Sequence, residues 1–468
     1  MQQRNYRTTL LLILWFSLVA MACNLSNPDS EPPTIEPRKV TPAGNLTPQP
    51  TLGLQDPGTN PNPGLGQAGG DGSEQVQVGR QLSQMMNDVQ PDRLFSHVEA
   101  LVNVGTRHIL SSQTAPNQGI GAAYRYITDQ FQRIQNESAG NFTLIECCWE
   151  FEAWSGSTPT QQRNIVGVIT GNQAGAGVVV IGAHYDSRTN DLSDGTSPAP
   201  GAADNGSGVA VVIELARIMS QYPQRSTIMF VLFSAEEHNR QGSKAFVQNY
   251  VVPNNLDLIA MINVDTVGSW NDSQGNINDK QLRVFASGQE GSRQLARMAD
   301  FLGYNLDLRL DINYVDAIDR EGRFGDHFSF DEAGYPSIRF IEALEDHYNR
   351  EGRDTLDKVE VSYMADATRT ILGVVDALSG GLRPPRNIQL RDAGGGNRSL
   401  VWEPVQGAKS YIVALRLPGS LYYNQQFAWS STETDATNLW DSYEGLAIAS
   451  VDANGMIGPL SQEFKIPR

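Results

Sequence analysis

A chain of 468 residues with 40% hydrophobic side chains has enough apolar surface for a large core and a smaller second domain, which excludes a wholly disordered polymer. Its 52 Asp and Glu against 35 Lys and Arg leave a formal charge of −17. That excludes a nucleic-acid partner, because phosphate binding needs a basic face.

At the N-terminus Arg4 and Arg7 precede "TTLLLILWFSLVAMAC", an apolar run too short for a comfortable membrane span, so the pattern reads as an export signal. Cys23 closes "LVAMAC" after small residues, in the manner of the lipid-bearing cysteine of a bacterial lipoprotein. Residues 1–23 are therefore expected to export the chain and to anchor it by a lipid at Cys23 to the cell surface, its one contact with a membrane. Residues 24–75 are rich in Pro, Asn, Gly and Thr and nearly devoid of large apolar side chains, so they read as a flexible tether. Two further cysteines, Cys147 and Cys148, are adjacent and so poorly placed to bridge, and they read as buried strand residues, not metal ligands.

Residues 76–380 alternate helical and strand patterns. In "GIGAAYRYITDQFQRI" the residues Ile120, Tyr124, Ile127, Phe131 and Ile134 recur at helical spacing and lay one face on a core. The runs "NIVGVITG", "GVVVIGAHYD", "TIMFVLFSAEE", "LIAMINVDTVG", "LRVFAS" and "YPSIRFIEA" are short, β-branched and almost continuously apolar, as strands covered on both faces are. Helical patterns at 207–220, 242–250, 291–302 and 358–379 lie between or after them. The expected fold is a three-layer α/β sandwich around a central mixed, mostly parallel sheet, with ligands beyond the carboxyl ends of the strands.

After "GGLRPP" the character changes, and residues 384–468 carry short alternating strands with turn residues between them, as in an all-β sandwich. "LVWEPVQGAKSYIVALR" and "SVDANGMIGPLS" resemble a fibronectin type III module, with Trp402 and Tyr411 as core residues. Trp429 and Trp440 are candidates for an exposed carbohydrate platform, although aromatic residues of such modules more often pack.

The chemistry gathers at the strand ends of the α/β region. His184 ends one apolar run, Asp186 follows two residues later, Asp204 sits in "PGAADNGSG", Glu236 and Glu237 follow another run, and Asp265 ends a fourth. One imidazole and several carboxylates at one sheet edge repel each other without a cation, so a divalent metal or a pair of them is the economical explanation. Mixed nitrogen and oxygen donors suit zinc better than magnesium or calcium. Asp204 is the candidate bridge between two ions; Gly201, Gly206 and Gly208 permit its tight loop, and Ser207 is placed to cap the helix that follows.

The blocks "GAHYDS", "PGAADNGSGVA", "FSAEEHNRQGSKAF", "INVDTVG", "DHFSFDEAGYPSIRFIE" and "RDTLDKV", in that order, resemble the zinc exopeptidase family of bacterial aminopeptidases, glutamate carboxypeptidases and glutaminyl cyclases. The resemblance covers roughly Phe95 to Leu378. It implies two Zn2+ per chain, with His184 and Asp265 on the first, Asp204 bridging and Glu237 on the second. It also implies Glu236 as general base, moving a proton from the attacking water to the leaving amine, and Asp186 as the carboxylate that orients the His184 ring. The family's last ligand is a His four residues before the Asp of the "DT" block, where this chain has Arg350. His347 is the nearest histidine and is assigned to the metal, and His327, in "GDHFSF", to the substrate, with His327 as the other candidate ligand. His97, His108 and His238 are read as helix or loop residues.

The function this implies is an exported aminopeptidase that hydrolyses N-terminal peptide bonds of a peptide substrate. Two alternatives use the same scaffold: a glutaminyl-cyclase-like acyltransferase with one zinc, and a peptide-binding protein on a decayed peptidase body. The intact "AEE" weighs against the last, since a binding protein has no need of a general base.

Overall fold

A computed structural model describes residues 81–467, apart from 147–148, 273, 287, 321 and 346–351. The export signal with Cys23, the tether, the Cys147–Cys148 pair and His347 lie outside the described residues.

Eight strands form the central sheet: β1 (Phe142–Ile145), β4 (Ile165–Ile169), β5 (Val178–His184), β6 (Thr227–Phe233), β7 (Leu258–Val264), β8 (Gln281–Ala286), β9 (Asp311–Val315) and β10 (Ser337–Glu342). Their order is β1-β4-β6-β5-β7-β10-β8-β9. The β6/β5, β5/β7, β7/β10 and β8/β9 pairs are parallel, and the other three are antiparallel. A hairpin of β2 (Glu150–Ser155) and β3 (Thr158–Arg163) stands apart from this sheet.

The middle strands are apolar on both faces because both are covered. Val179 and Ile181 of β5 belong to a core cluster shared with the helices Pro91–Val102, Gly119–Glu137, Gly208–Met219 and Val361–Gly380. Val180, the alternate residue, belongs to a second cluster with Phe246, Val251 and Phe330. Successive side chains point to opposite faces, so one seven-residue strand feeds two cores. Burying a side chain such as Val or Ile in this way stabilises by about 1.5–3 kcal/mol each.

A second part begins beyond Gly380. Strands β11 (Gln389–Gly394) and β12 (Asn397–Val401) pair as a hairpin, while β13 (Ala408–Arg416), β14 (Gln425–Trp429), β15 (Gly445–Asp452), β16 (Ile457–Leu460) and β17 (Phe464–Lys465) form an antiparallel sheet. Trp402 and Tyr411 are buried there and meet edge to face at 5.3 Å. Trp440 is only 1% exposed, its Nε1 donating to the Arg398 carbonyl at 2.7 Å, so it cannot serve as a carbohydrate platform. Trp429 is partly buried, its Nε1 spent on the Glu433 carbonyl at 2.8 Å.

This second part is welded to the first. Leu460 of β16 joins the main core, Gln294 donates to the Ser461 carbonyl at 2.7 Å, and the Tyr423 hydroxyl donates to Gln294 at 2.9 Å. A Cβ on Gly381 would lie 2.4 Å from the Gly458 Cα, so the two backbones touch where only glycine fits.

Asp376 is buried in the helix Val361–Gly380, and burial pushes its carboxyl up to about 7. The unfolded chain releases that proton above about pH 4, whereas the folded chain keeps it until about pH 7, so this residue lowers stability as pH rises between the two. Asp376→Asn is expected to remove that loss, on the order of 2–4 kcal/mol. Thermal melts should show a higher Tm for the variant at about pH 8 and the same Tm at about pH 4; an equal Tm at both would refute it.

Candidate metal centre and active site

All but one of the groups of the centre stand at or just beyond the end of a strand that fixes their position. His184 is the last residue of β5, Asp265 follows β7, and Glu236 and Glu237 lie in the turn after β6. These three strands are parallel neighbours in the order β6-β5-β7, so their carboxyl ends deliver the groups side by side. Asp204 comes from the loop before the helix Gly208–Met219. That loop opens on Gly201 at φ 55°, a left-handed conformation in which a Cβ would lie 2.6 Å from the Asp204 carbonyl.

His184 Nε2 lies 3.2 Å from Asp204 Oδ1, 3.5 Å from Asp265 Oδ1 and 3.9 Å from Glu236 Oε2. Donor atoms of His184, Asp204 and Asp265 all fall within 4.8 Å of one another, and all three residues are buried. Burial alone would lower the His184 pKa, yet the Glu236 and Asp265 charges and the bonds to Asp186 and Asp204 hold it well above its usual value. A buried acid cluster that raises an imidazole in this way wants positive charge, and a divalent ion supplies it. One imidazole and two carboxylates fit zinc. Burial would likewise raise Asp265, but the Arg339 guanidinium, 3.1 Å away, and His184 keep it well below the usual carboxylate range. Burial pushes the Glu236 carboxyl well up, helped by Asp326, Glu237 and Asp265, which suits a proton acceptor.

Asp186 does more than orient the ring. The His184 Nδ1 lies 3.1 Å from the Asp186 carbonyl and 3.5 Å from its carboxylate, and that carboxylate accepts the backbone N–H of both Glu236 at 3.0 Å and Glu237 at 3.1 Å. Glu237 forms an ion pair with Arg188 at 2.9 Å.

Several supporting residues went unassigned from sequence. Asp354 accepts the N–H of Ala203 and of Asp204, each at 2.8 Å, and so ties the "RDTLDKV" block to the metal loop. Asn205 Oδ1 accepts from Gly208 at 2.9 Å and Thr266 at 3.1 Å, and so takes the helix-capping role expected of Ser207. The Ser207 hydroxyl instead donates to the Ala203 carbonyl at 2.7 Å and accepts from Val267 at 3.0 Å. Arg339, an arginine inside the apolar run "SIRF", pairs with Asp265 and Asp319. Its charge within a strand otherwise made for the core was the signal that could have found it.

His327 does not line the cavity at this centre, contrary to its assignment to the substrate. It is fully buried, its Nε2 2.8 Å from the Ile318 carbonyl, where it steadies the loop before its own helix. His97 contacts the Tyr126 hydroxyl at 2.7 Å, and His108 and His238 stack on each other edge to face at 4.8 Å. The cavity itself measures about 220 Å³ and is walled by His184, Asp204, Glu236, Glu237 and Asp265 together with several arginines. A larger cleft of about 690 Å³ lies where the C-terminal sheet meets the α/β body and gathers no such cluster, so size does not choose the site.

Residues 164–375 match the model of Peptidase family M28. A probable zinc metalloprotease of Pyrenophora tritici-repentis is 31% identical over 363 residues, covering 70% of this chain and 83% of the relative. One from Phaeosphaeria nodorum is 30% identical over 356 residues, covering 66% of this chain and 71% of the relative. Among solved structures, LapB from Legionella pneumophila shares the fold at a TM-score of 0.52 and 20% identity, over 63% of this chain and 74% of that one. The LapA aminopeptidase of the same organism shares it at 0.50 and 20%, over 65% and 75%. With a matched segment that contains His184, Asp204, Glu236, Glu237, Asp265 and Asp354, the chain belongs to peptidase family M28 and is a zinc metallopeptidase.

Proposed function

We propose that the chain is an exported aminopeptidase. The observation that carries this is the meeting of the His184, Asp204 and Asp265 donors with Glu236 in a cavity of about 220 Å³, below the range of sites for drug-sized ligands and suited to about one residue of a peptide.

His184, Asp204 and Asp265 would hold the first zinc ion. A second would use Asp204 as bridge, Glu237 and, from outside the described residues, His347. Bound zinc supplies a Lewis acid that polarises the scissile carbonyl and lowers the pKa of water. Glu236 accepts the proton of the attacking water and delivers it to the departing amine, which its raised pKa favours. Asp186 holds Glu236, Glu237 and the His184 ring in register, and Arg188 holds one oxygen of Glu237.

Export and attachment by a lipid at Cys23 belong to the same proposal, supported by Arg4, Arg7 and the apolar run that ends at Cys23. The C-terminal part is proposed to be a fibronectin type III-like mount for the peptidase, supported by the burial of Trp440 and by the bonds of Gln294 across the seam. Among the described residues no helix is long and apolar enough to cross a membrane.

The test is metal analysis of the purified chain together with a panel of aminoacyl and N-blocked peptides, and the mass of the membrane-bound form for the lipid. Release of free N-terminal residues by zinc-loaded protein, with N-blocked peptides untouched, is the expected result. Cleavage confined to blocked peptides, or loss of ammonia from an N-terminal Gln without hydrolysis, would show a carboxypeptidase or a cyclase instead.

A further inference from the structure

Asp204 reaches the metal centre on a loop, not a strand, and without an ion the carboxylates of Asp265, Glu236 and Glu237 in the same cavity repel it. Asp354 ties the N–H groups of that loop from one side. Arg107, outside the proton and metal chemistry, ties its carbonyls. The Arg107 side chain is fully buried, and among the described residues its hydrogen bonds run to backbone carbonyls, not to a carboxylate.

These carbonyls join the two segments that carry His184 and Asp204 to a helix of the core. Nε donates at 2.7 Å to Tyr185, which stands between His184 and Asp186. Nη2 donates at 2.9 Å to Gly201, where the Asp204 loop opens, and Nη1 donates to Pro200 just before it. Nη1 also reaches Leu101 at 3.3 Å, in the last turn of the helix Pro91–Val102, where carbonyls lack a partner within the helix. The Arg107 backbone repeats the join: its N–H donates to the Ser187 hydroxyl at 3.0 Å, and that hydroxyl donates to the Ala199 carbonyl at 2.7 Å. The fit is close, since a Cβ on Gly201 would lie 2.7 Å from Nη2.

Burial lowers the guanidinium to about 10, the charges of Asp354, Asp186, Asp204 and Glu237 opposing it, so it is a cation at neutral pH. A buried cation whose bonds go to carbonyls leaves its charge to those acids, and it offsets their mutual repulsion. A planar fork of fixed donors suits this task better than an ammonium, because it holds several carbonyls in one geometry.

We propose that Arg107 is a positioning residue: it holds the Asp204 loop against the end of β5 before metal arrives, so that the ion meets donors already assembled. The proposal rests on the reading of Asp204 as a zinc donor.

Zinc affinity of the full chain is measured by competition with a chromogenic chelator in the parent, in Arg107→Lys and in Leu446→Ala. The last is a control that opens a cavity in the C-terminal core cluster of Leu400, Trp402 and Tyr411. Arg107→Lys keeps the charge and loses the fork, and it is expected to bind zinc about 10- to 100-fold more weakly, the usual cost of losing a partner behind a ligand. Leu446→Ala should melt lower and bind zinc as the parent does. Amide exchange gives the second readout. In zinc-free Arg107→Lys the N–H groups of Asp204 and Gly206, bonded to Asp354 and Gly201, should exchange faster than in the zinc-free parent, and zinc should slow them again. A lower melting temperature in Arg107→Lys, with parental zinc affinity and parental exchange, overturns the proposal and leaves a structural arginine. If Arg107→Lys does not fold, the zinc-free parent decides: slow exchange at Asp204 and Gly206 supports a loop closed before metal, and exchange that becomes slow only with zinc overturns it. Retention of zinc by Asp204→Ala would instead remove the reading beneath the proposal, with the exchange comparison still deciding whether Arg107 holds the loop.

Discussion

Glu236→Gln is expected to keep its zinc and to lose about 10²–10⁴-fold in kcat, the usual worth of a positioned general base. The substitution removes the proton acceptor without altering the His184, Asp204 and Asp265 donor set. Asp204→Ala should behave in the opposite order, shedding metal first and activity as a result. It takes away a donor 3.2 Å from the ligand imidazole, and the loop that carries it is pinned separately by Asp354. Metal content by mass spectrometry, measured beside turnover on the same preparations, separates the roles. Equal zinc loss in both variants would end the division of labour between base and ligand.

The second large effect belongs to a residue outside the chemistry. Arg339→Met leaves Asp265 and Asp319 buried without the guanidinium they share, and breaking a buried pair of this kind costs about 3–5 kcal/mol. The zinc-free variant should therefore melt well below the parent. Zinc should narrow the gap, because Asp265 is one of the metal donors, and adding Asp319→Asn should narrow it further by removing the second stranded charge. An unchanged melting temperature in zinc-free Arg339→Met would show that the pair contributes nothing.

Much of the centre was legible because it sits where regular patterns stop. The apolar run ending in "GAHYD" places His184 at the end of β5, and "INVD" places Asp265 just beyond β7, since continuous apolar runs mark strands covered on both faces. The helix expected over 207–220 is Gly208–Met219, close because its apolar side chains leave it no face toward water. The supporting contacts were not legible, because they join residues far apart in the chain. Asp354 reaches back to Ala203, and Arg339 to Asp265 and Asp319, through distances that no local period records. Ser207 looked like a cap by its place before the helix, but Asn205, two residues earlier, has the longer side chain that reaches both Gly208 and Thr266. His327 misled for a related reason. Its motif predicts that it adjoins the site, and its neighbour Arg323 does line the cavity, while its own ring turns into the core.

Asp186 meets three functional groups at once, through its carbonyl to His184 and through its carboxylate to the N–H groups of Glu236 and Glu237. Change at this one position therefore shifts an imidazole, a base and a further acid together. A single step at Asp186 can abolish such a centre, and no change at that position moves the base while leaving the ligands as they were.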